Sequence, residues 1–260
     1  MTWPGSADGV LRVATYNVRG LRDDRRALVR VIRALRPDVL CLQEAPRLPG
    51  WRRERRALAH AAGLSVAAGG RVGGTAVLTA PAVRLLRGRG HRLRWFAGLE
   101  WRSVALAVVE KDGERYAVCS AHLDLLAGAR LSHAVQILPL LERAAREFGA
   151  APVLAGDLNE IPGAPVWRLL GGRYTDCFTV TRFSATQGAA PRLAADGDHS
   201  RAGATFPARD PRVRIDAIFA GPGLTVASYG GADVAAEDLA AASDHRPVVA
   251  EVAFTPPARS

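Results

Sequence analysis

The chain has 260 residues, 48% hydrophobic and 23% charged, a composition that excludes intrinsic disorder and allows a sizeable core. The longest unbroken apolar run, Val104–Val109, excludes a transmembrane helix, which needs about 20 such residues. The net charge of +10 is concentrated at the front: residues 1–100 hold 19 Arg against 7 acids, and residues 101–260 hold 16 Lys and Arg against 18 acids. Such a charge is compatible with nucleic acid, anionic lipid or any phosphorylated substrate, and selects none of them. The opening MTWPGSADGV has no basic start and no apolar stretch. Cys41, Cys119 and Cys177 are too few and too scattered for a disulfide framework or a zinc site. Buried free thiols in a reducing, cytoplasmic setting are the expectation.

Strands and helices alternate over residues 11–254, between short tails at 1–10 and 255–260. Leu11–Tyr16 is an apolar strand. Arg22–Arg36 is a helix, because Leu28, Val31, Ile32 and Leu35 fall on one face and Pro37 ends the run. Val39–Gln43 is a buried-type strand, and Arg52–Ala62 a helix ended by Gly63. Shorter strands follow around Leu64–Ala67, Thr75–Thr79 and Ala82–Leu86. Ser103–Glu110 and Arg115–Ala121 form a hairpin through Lys111-Asp112-Gly113. Ala129–Phe148 is a long amphipathic helix containing Pro139, Pro152–Ala155 a strand, and Trp167–Leu170 a short helix. Ser184–Arg212, rich in Gly, Ala, Pro, Asp and Arg, does not read as regular structure; a connection that long is usually functional or disordered. Ile215–Phe219, Leu224–Tyr229 and Pro247–Phe254 complete the strands, and the alanines of 232–242 read as compositional bias. Helices separated by hairpin-type strands predict a mixed two-sheet α/β (α+β) core with helices outside.

Polar side chains cluster at the ends of these apolar strands. Asn17 follows LRVATY, Glu44 follows VLCLQ, His122 follows YAVCSA, and Asp157 and Asn159 follow PVLAG. Asp216 sits inside RIDAIF, and Asp244 and His245 precede RPVVAEV. Each alone is a turn former, a helix cap or a core-edge histidine. If the later strands run antiparallel to the earlier ones, all meet on one rim. Four carboxylates at one place repel unless a cation lies among them. Oxygen donors without thiolate favour a hard divalent ion, Mg²⁺ or alternatively Mn²⁺.

The motifs TYNV around Asn17, LQE ending at Glu44, SAHLD around His122, GDLN from Asp157 to Asn159, RID at Asp216 and SDH at Asp244–His245 stand in an order that resembles the endonuclease/exonuclease/phosphatase superfamily, the DNase I-like phosphoesterases. The resemblance spans residues 11–254. It implies a four-layer α/β sandwich, two β-sheets face to face with helices outside, and Mg²⁺-dependent phosphoester hydrolysis. Glu44 resembles the principal metal ligand, with Asn17 beside it and Asp244 completing the shell directly or through water. Asp157 resembles the carboxylate that activates or orients the attacking water, and Asn159 the amide that holds the phosphate or the nucleophile. His245 with Asp216 resembles the imidazole–carboxylate dyad, and His122 the phosphate-contacting histidine.

Members of the superfamily hydrolyse DNA, RNA, phosphoinositides, sphingomyelin and nucleotide-like compounds, so the fold leaves the substrate open. Rim loops should decide it, here Arg19–Asp24, Ala68–Gly74, Ala80–Trp95 and Ser184–Arg212, with Arg19 as a candidate substrate contact. Arg84, Arg87, Arg89, Arg92 and Arg94 form a basic run, interleaved with aromatics only at Trp95 and Phe96, too few for a stacking platform. The leading expectation is a nuclease or general phosphodiesterase. A phosphatase or lipid phosphodiesterase is the alternative on the same fold, and a non-catalytic binding domain the alternative of another class. A monomer without a stable protein partner is expected.

Overall fold

The apolar strands assemble into two six-stranded sheets in a computed structural model that describes residues 7–185, 203–230 and 233–255. The first sheet holds β1 (Val10–Asn17), β2 (Val39–Gln43), β3 (Ser65–Gly69), β4 (Ala76–Thr79), β11 (Leu224–Tyr229) and β12 (Val248–Phe254). Their order is β11-β12-β1-β2-β4-β3. The second holds β5 (Arg84–Arg92), β6 (Ser103–Lys111), β7 (Glu114–His122), β8 (Ala151–Asp157), β9 (Thr175–Asp176) and β10 (Asp216–Ala220), in the order β5-β6-β7-β8-β10-β9. Both sheets are mixed. β1 and β2 are parallel, as are β7 and β8, whereas β12 runs antiparallel to β1 and β10 antiparallel to β8. The ends of four strands and the starts of two therefore lie at one end of the sandwich.

The central strands of the second sheet, β6, β7, β8 and β10, are buried on both faces, so their apolar residues alternate between two layers. Ala105, Val118, Val153, Ala155 and Ile218 pack toward the first sheet. Leu106, Cys119, Leu154 and Phe219 pack on the other side, against Ile137 and Leu141 of α3 (Ala127–Phe148) and Trp167 of α4 (Pro165–Gly171). The first sheet shares its core with α1 (Arg25–Leu35) through Leu28, Val31, Ile32 and Leu35, and with α2 (Trp51–Ala61) through Leu58 and Ala59. The expected four-layer arrangement is the one observed.

Most element limits agree with the sequence reading to within a few residues, and the departures have physical causes. α1 starts at Arg25 because Asp24 caps it, Oδ1 accepting from the backbone N–H of Arg26 (2.7 Å) and Ala27 (3.1 Å). It stops where Arg36 turns left-handed, φ 46°, ahead of Pro37. Most of the expected loop 80–95 is instead strand β5. Its arginine–glycine alternation looks unstructured, yet a Cβ on Gly88 would lie 2.0 Å from Ala67 O and one on Gly90 3.0 Å from Gly70 N. Glycine lets the edges of the two sheets touch there. The alanines of the late segment form α6 (Ala236–Ala242), which lies on α1, with Arg30 Nε donating to Asp238 Oδ2 at 3.0 Å. α5 (Cys177–Ala185) and β9 carry no periodic signal long enough to predict. Of the expected irregular segment, residues 186–202 lie outside the described residues, as do 1–6 and 256–260 of the expected tails. Among the described residues no helix is long and apolar enough to cross a membrane, and all three cysteines are free and buried.

Candidate active site

Register places the functional side chains next to one another. His122 pairs with Asp157 across β7 and β8, and Asp157 with Asp216 across β8 and β10. By strand parity these three share the face of Val118, Ala155 and Ile218, which looks onto the first sheet. Facing them, Asn17 closes β1, Glu44 follows β2, and Asp244 and His245 lead into β12. A buried polar bridge joins the sheets one side-chain layer below. Thr15 Oγ1 donates to Gln43 Oε1 (3.2 Å), Gln43 Nε2 donates to Ser120 Oγ (3.1 Å), and Ser120 Oγ donates to Leu42 O (2.9 Å). Fully satisfied polar groups of this kind fix the registration of two otherwise apolar sheets.

Asn17 is the link between carboxylates. Its Oδ1 accepts from Arg19 N–H (3.0 Å), which orients the amide so that Nδ2 donates to Glu44 Oε1 (3.2 Å) and Asp157 Oδ2 (3.0 Å). Glu44 and Asn159 each leave their strand with φ 49°, left-handed values that cost a non-glycine residue about 1–2 kcal/mol. Such strain concentrates at functional sites. Asn159 N–H donates to Asp157 Oδ1 (2.9 Å) and its Nδ2 to Leu123 O (3.1 Å), leaving Oδ1 without a partner among the described residues.

The two imidazoles are set up in opposite ways. His245 Nδ1 donates to buried Asp216 Oδ2 at 2.9 Å. Burial opposes its charge, but Asp216, Asp157 and Asp244 outweigh burial and raise its pKa to about 9. His122 is buried, and its Nδ1 lies 3.0 Å from Arg102 Nη1. Arginine has only donors, so Nδ1 must accept and the His122 proton sits on Nε2. Burial, then the Arg102 cation, hold the His122 pKa well below its ordinary value, so the ring is neutral. His122 Nε2 and His245 Nε2 lie 3.5 and 3.7 Å from Asp157 Oδ2, too far for hydrogen bonds. Both N–H groups therefore remain available to a further oxygen placed between them. Burial first, and then the Asp216 charge, raise the Asp157 pKa to about 7.

Arg102 carries no motif signal in the sequence; it lies in a loop and meets His122 only through the β6–β7 hairpin. If it holds His122 neutral, Arg102→Met should raise the His122 pKa and populate the second tautomer. Imidazole NMR of the variant would read both, and an unchanged His122 titration would exclude the role.

Arg19, the candidate substrate contact, pairs with Asp244 Oδ2 (Nε, 3.2 Å) and Asp23 Oδ1 (Nη1, 3.2 Å). Ser243 Oγ donates to Asn17 O at 2.7 Å and lies 3.4 Å from Asp244 Oδ1. Glu44, Arg102, His122, Asp157, Asn159 and His245 line a cleft of about 570 Å³; Arg22 and Arg25, from the same turn as Arg19, extend it. Oxygens of Asp157 and Asp216 and a nitrogen of His245 all lie within 4.8 Å of one another. Among the described residues Glu44 Oε2 has no hydrogen-bond partner. The half-buried Glu44 carboxylate with an open oxygen and the nearby Asp157 carboxylate offer the oxygen donors that suit a hard divalent cation, while the Asn17 amide presents Nδ2 to both and its Oδ1 to Arg19 N–H.

A model of the Endonuclease/Exonuclease/phosphatase family matches residues 14–245. Among curated proteins none matches the chain. Its fold is similar to a conserved protein of unknown function from Enterococcus faecalis V583, at 23% identity over 94% of this chain and 100% of that one, TM-score 0.72. It is also similar to the human Nocturnin catalytic domain, at 18% identity over 96% of each chain, TM-score 0.69. A mannosyl-6-phosphatase of Bacteroides thetaiotaomicron VPI-5482 aligns at 20% identity over 94% of this chain and 100% of that one, TM-score 0.71. At these identities the solved structures bear on the fold alone.

Proposed function

The chain belongs to the Endonuclease/Exonuclease/phosphatase family and is a hydrolase of phosphoric ester bonds; from that premise we propose a Mg²⁺-dependent phosphodiesterase, of nuclease or general type. The observation that carries the reading is the set of donors round Asp157 Oδ2: Asn17 Nδ2 at 3.0 Å, His122 Nε2 at 3.5 Å and His245 Nε2 at 3.7 Å. Glu44, through its open Oε2, and Asn17, once its amide turns Oδ1 from Arg19 N–H toward Glu44, would hold the cation, with Asp244 reached through water because Arg19 already pairs with it. The ion, when bound, offsets charge on the phosphoryl oxygens.

The protein's own groups supply the rest. Asp157 takes the proton of the attacking water, and the open Oδ1 of Asn159 accepts that water's second hydrogen. The charged N–H of His245 and the neutral N–H of His122 donate to the phosphoryl oxygens as negative charge builds on them. When the bond to the leaving oxygen breaks, the His245 proton is available to that oxygen. Six intact motifs speak against a non-catalytic module on this fold. Free buried thiols are in keeping with a reducing, cytoplasmic setting.

Hydrolysis of bis(p-nitrophenyl) phosphate with added Mg²⁺ tests the reading. EDTA should abolish turnover and excess Mg²⁺ should restore it. Turnover that survives EDTA, or none with either Mg²⁺ or Mn²⁺, would overturn it.

A further inference from the structure

Exposed apolar side chains are concentrated at one end of this protein. Among the described residues eleven large hydrophobic residues are exposed, and seven of them (Leu48, Trp95, Trp101, Leu125, Leu126, Ile161 and Val213) lie on connections at the catalytic end. Separate loops supply them: Leu48 after β2, the tryptophans between β5 and β6, Leu125 and Leu126 after β7, Ile161 after β8. Leu48 is 74% exposed, Leu125 70%, Leu126 58% and Ile161 54%. Trp95 and Trp101 stack on one another, centroids 5.5 Å apart, with both rings at the surface. Scattered exposed apolar residues need no explanation, but seven gathered at the catalytic end, with Leu48 and Leu125 lining the cleft itself, mark an interaction surface.

The same rim is cationic. A recess of about 450 Å³, lined by Arg71, Arg92 and Trp101, adjoins the catalytic cleft and shares Arg47, Leu48 and Gly73 with it. Arg22, Arg71 and Arg92 are exposed, and among the described residues they have no ion-pair partner. Aliphatic tips offer a nucleic acid neither a hydrogen bond nor a ring to stack on, whereas they lose unfavourable hydration in acyl chains. Tryptophans suit the headgroup level, and free guanidinium groups suit anionic phosphates.

We propose that the catalytic rim docks on an anionic lipid surface. The docking does not rest on the phosphodiesterase reading. The test uses the full chain with vesicles of phosphatidylcholine, with and without phosphatidylserine, followed by sedimentation and tryptophan emission. Binding to the anionic vesicles with a blue-shifted emission is expected. Leu126 sits at the N-cap of α3 without a capping side chain, so Leu126→Asp removes an apolar tip while supporting the helix. Combined with Trp95→Gln it should weaken vesicle partitioning about tenfold or more, with hydrolysis of soluble bis(p-nitrophenyl) phosphate unchanged.

No vesicle binding by a chain that hydrolyses the soluble ester would overturn the docking and leave the phosphodiesterase reading standing. Binding that salt fully reverses and the double variant leaves intact would overturn it as well. So would an oligothymidylate that binds, and is lost in the double variant, when vesicles do not. A chain that binds vesicles through these residues but hydrolyses no phosphodiester would keep the docking and end the phosphodiesterase reading.

Discussion

Asp157→Asn is expected to lower Mg²⁺-dependent turnover of a phosphodiester by at least about 10²-fold, the usual contribution of an acid–base group. The substitution keeps the shape of the side chain and removes its charge, which also helps to keep His245 protonated, together with its capacity to take a proton. Asp157 is buried, and burial together with Asp216 raises its pKa to about 7. A carboxylate poised near neutrality is matched to general-base work. The sign for stability is opposite to that for activity. A carboxyl whose folded pKa lies above its ordinary value of 3.8 favours the fold only in acid. The penalty grows as pH rises above that value and is complete above about 7. Asp157→Asn removes the penalty, so at pH above 7 the variant should melt no lower than the parent. Lost turnover with retained or raised thermal stability is the signature of a group kept for function at the expense of the fold. Near-normal turnover at saturating Mg²⁺ would refute the assignment of Asp157.

The gathering of these groups was legible in the sequence because strand ends are legible. Apolar runs such as VLCLQ and YAVCSA stop at a polar residue, and a single condition, that the last strands run antiparallel to the earlier ones, brings those residues to one rim. Strand parity was hidden. Both faces of β8 are buried, so Val153, Leu154 and Ala155 are all apolar and nothing local shows which way Asp157 points. Pairing with β7 and β10 decides it, and pairing is a tertiary fact. The resemblance to a known family supplied roles that the residues alone left open, since a lone Asp216 or Asn17 reads equally as a turn former.

Features built from distant partners were illegible for the same reason. The action of Arg102 depends on a histidine 20 positions away in sequence. Nothing in the neighbourhood of Arg19 announces Asp244, more than two hundred residues on, as its counter-ion. β5 was masked by its glycines, whose purpose appears only when β3 lies across them. The apolar rim was equally hidden. Leu48, Leu125 and Ile161 sit in three separate loops, and Trp101 meets Trp95 only through the turn before β6.

Asp216→Asn should displace the whole pH–activity profile toward acid, and that direction separates a charge effect from a structural one. His245 needs its proton, so activity falls at high pH as that proton leaves; in the native protein the pKa is raised to about 9. Burial works against the charge, and Asp216 is the first of the groups that restore it. An asparagine there can still accept from Nδ1–H and hold the ring in place, but it brings no charge. Losing an opposite charge at hydrogen-bond distance moves a pKa by about 1–3 units, so the alkaline limb should shift down by that order. Asp157 responds in the same sense. Asp216 helps to raise its pKa, and without that neighbour the carboxyl ionises earlier. Both limbs of a bell-shaped profile of kcat/KM thus move to lower pH, as macroscopic values of one coupled group. Above pH 8 the variant should lose about 10²-fold in turnover, and part of that loss should return on acidification as His245 regains its proton. The stability attached to the dyad follows the same sign. His245 stabilises the fold below its ordinary value of 6.5, and that contribution disappears as pH rises through about 9. A profile reduced in height but unmoved in pH would mean that Asp216 merely packs the site, and the charge assigned to His245 would have to be withdrawn.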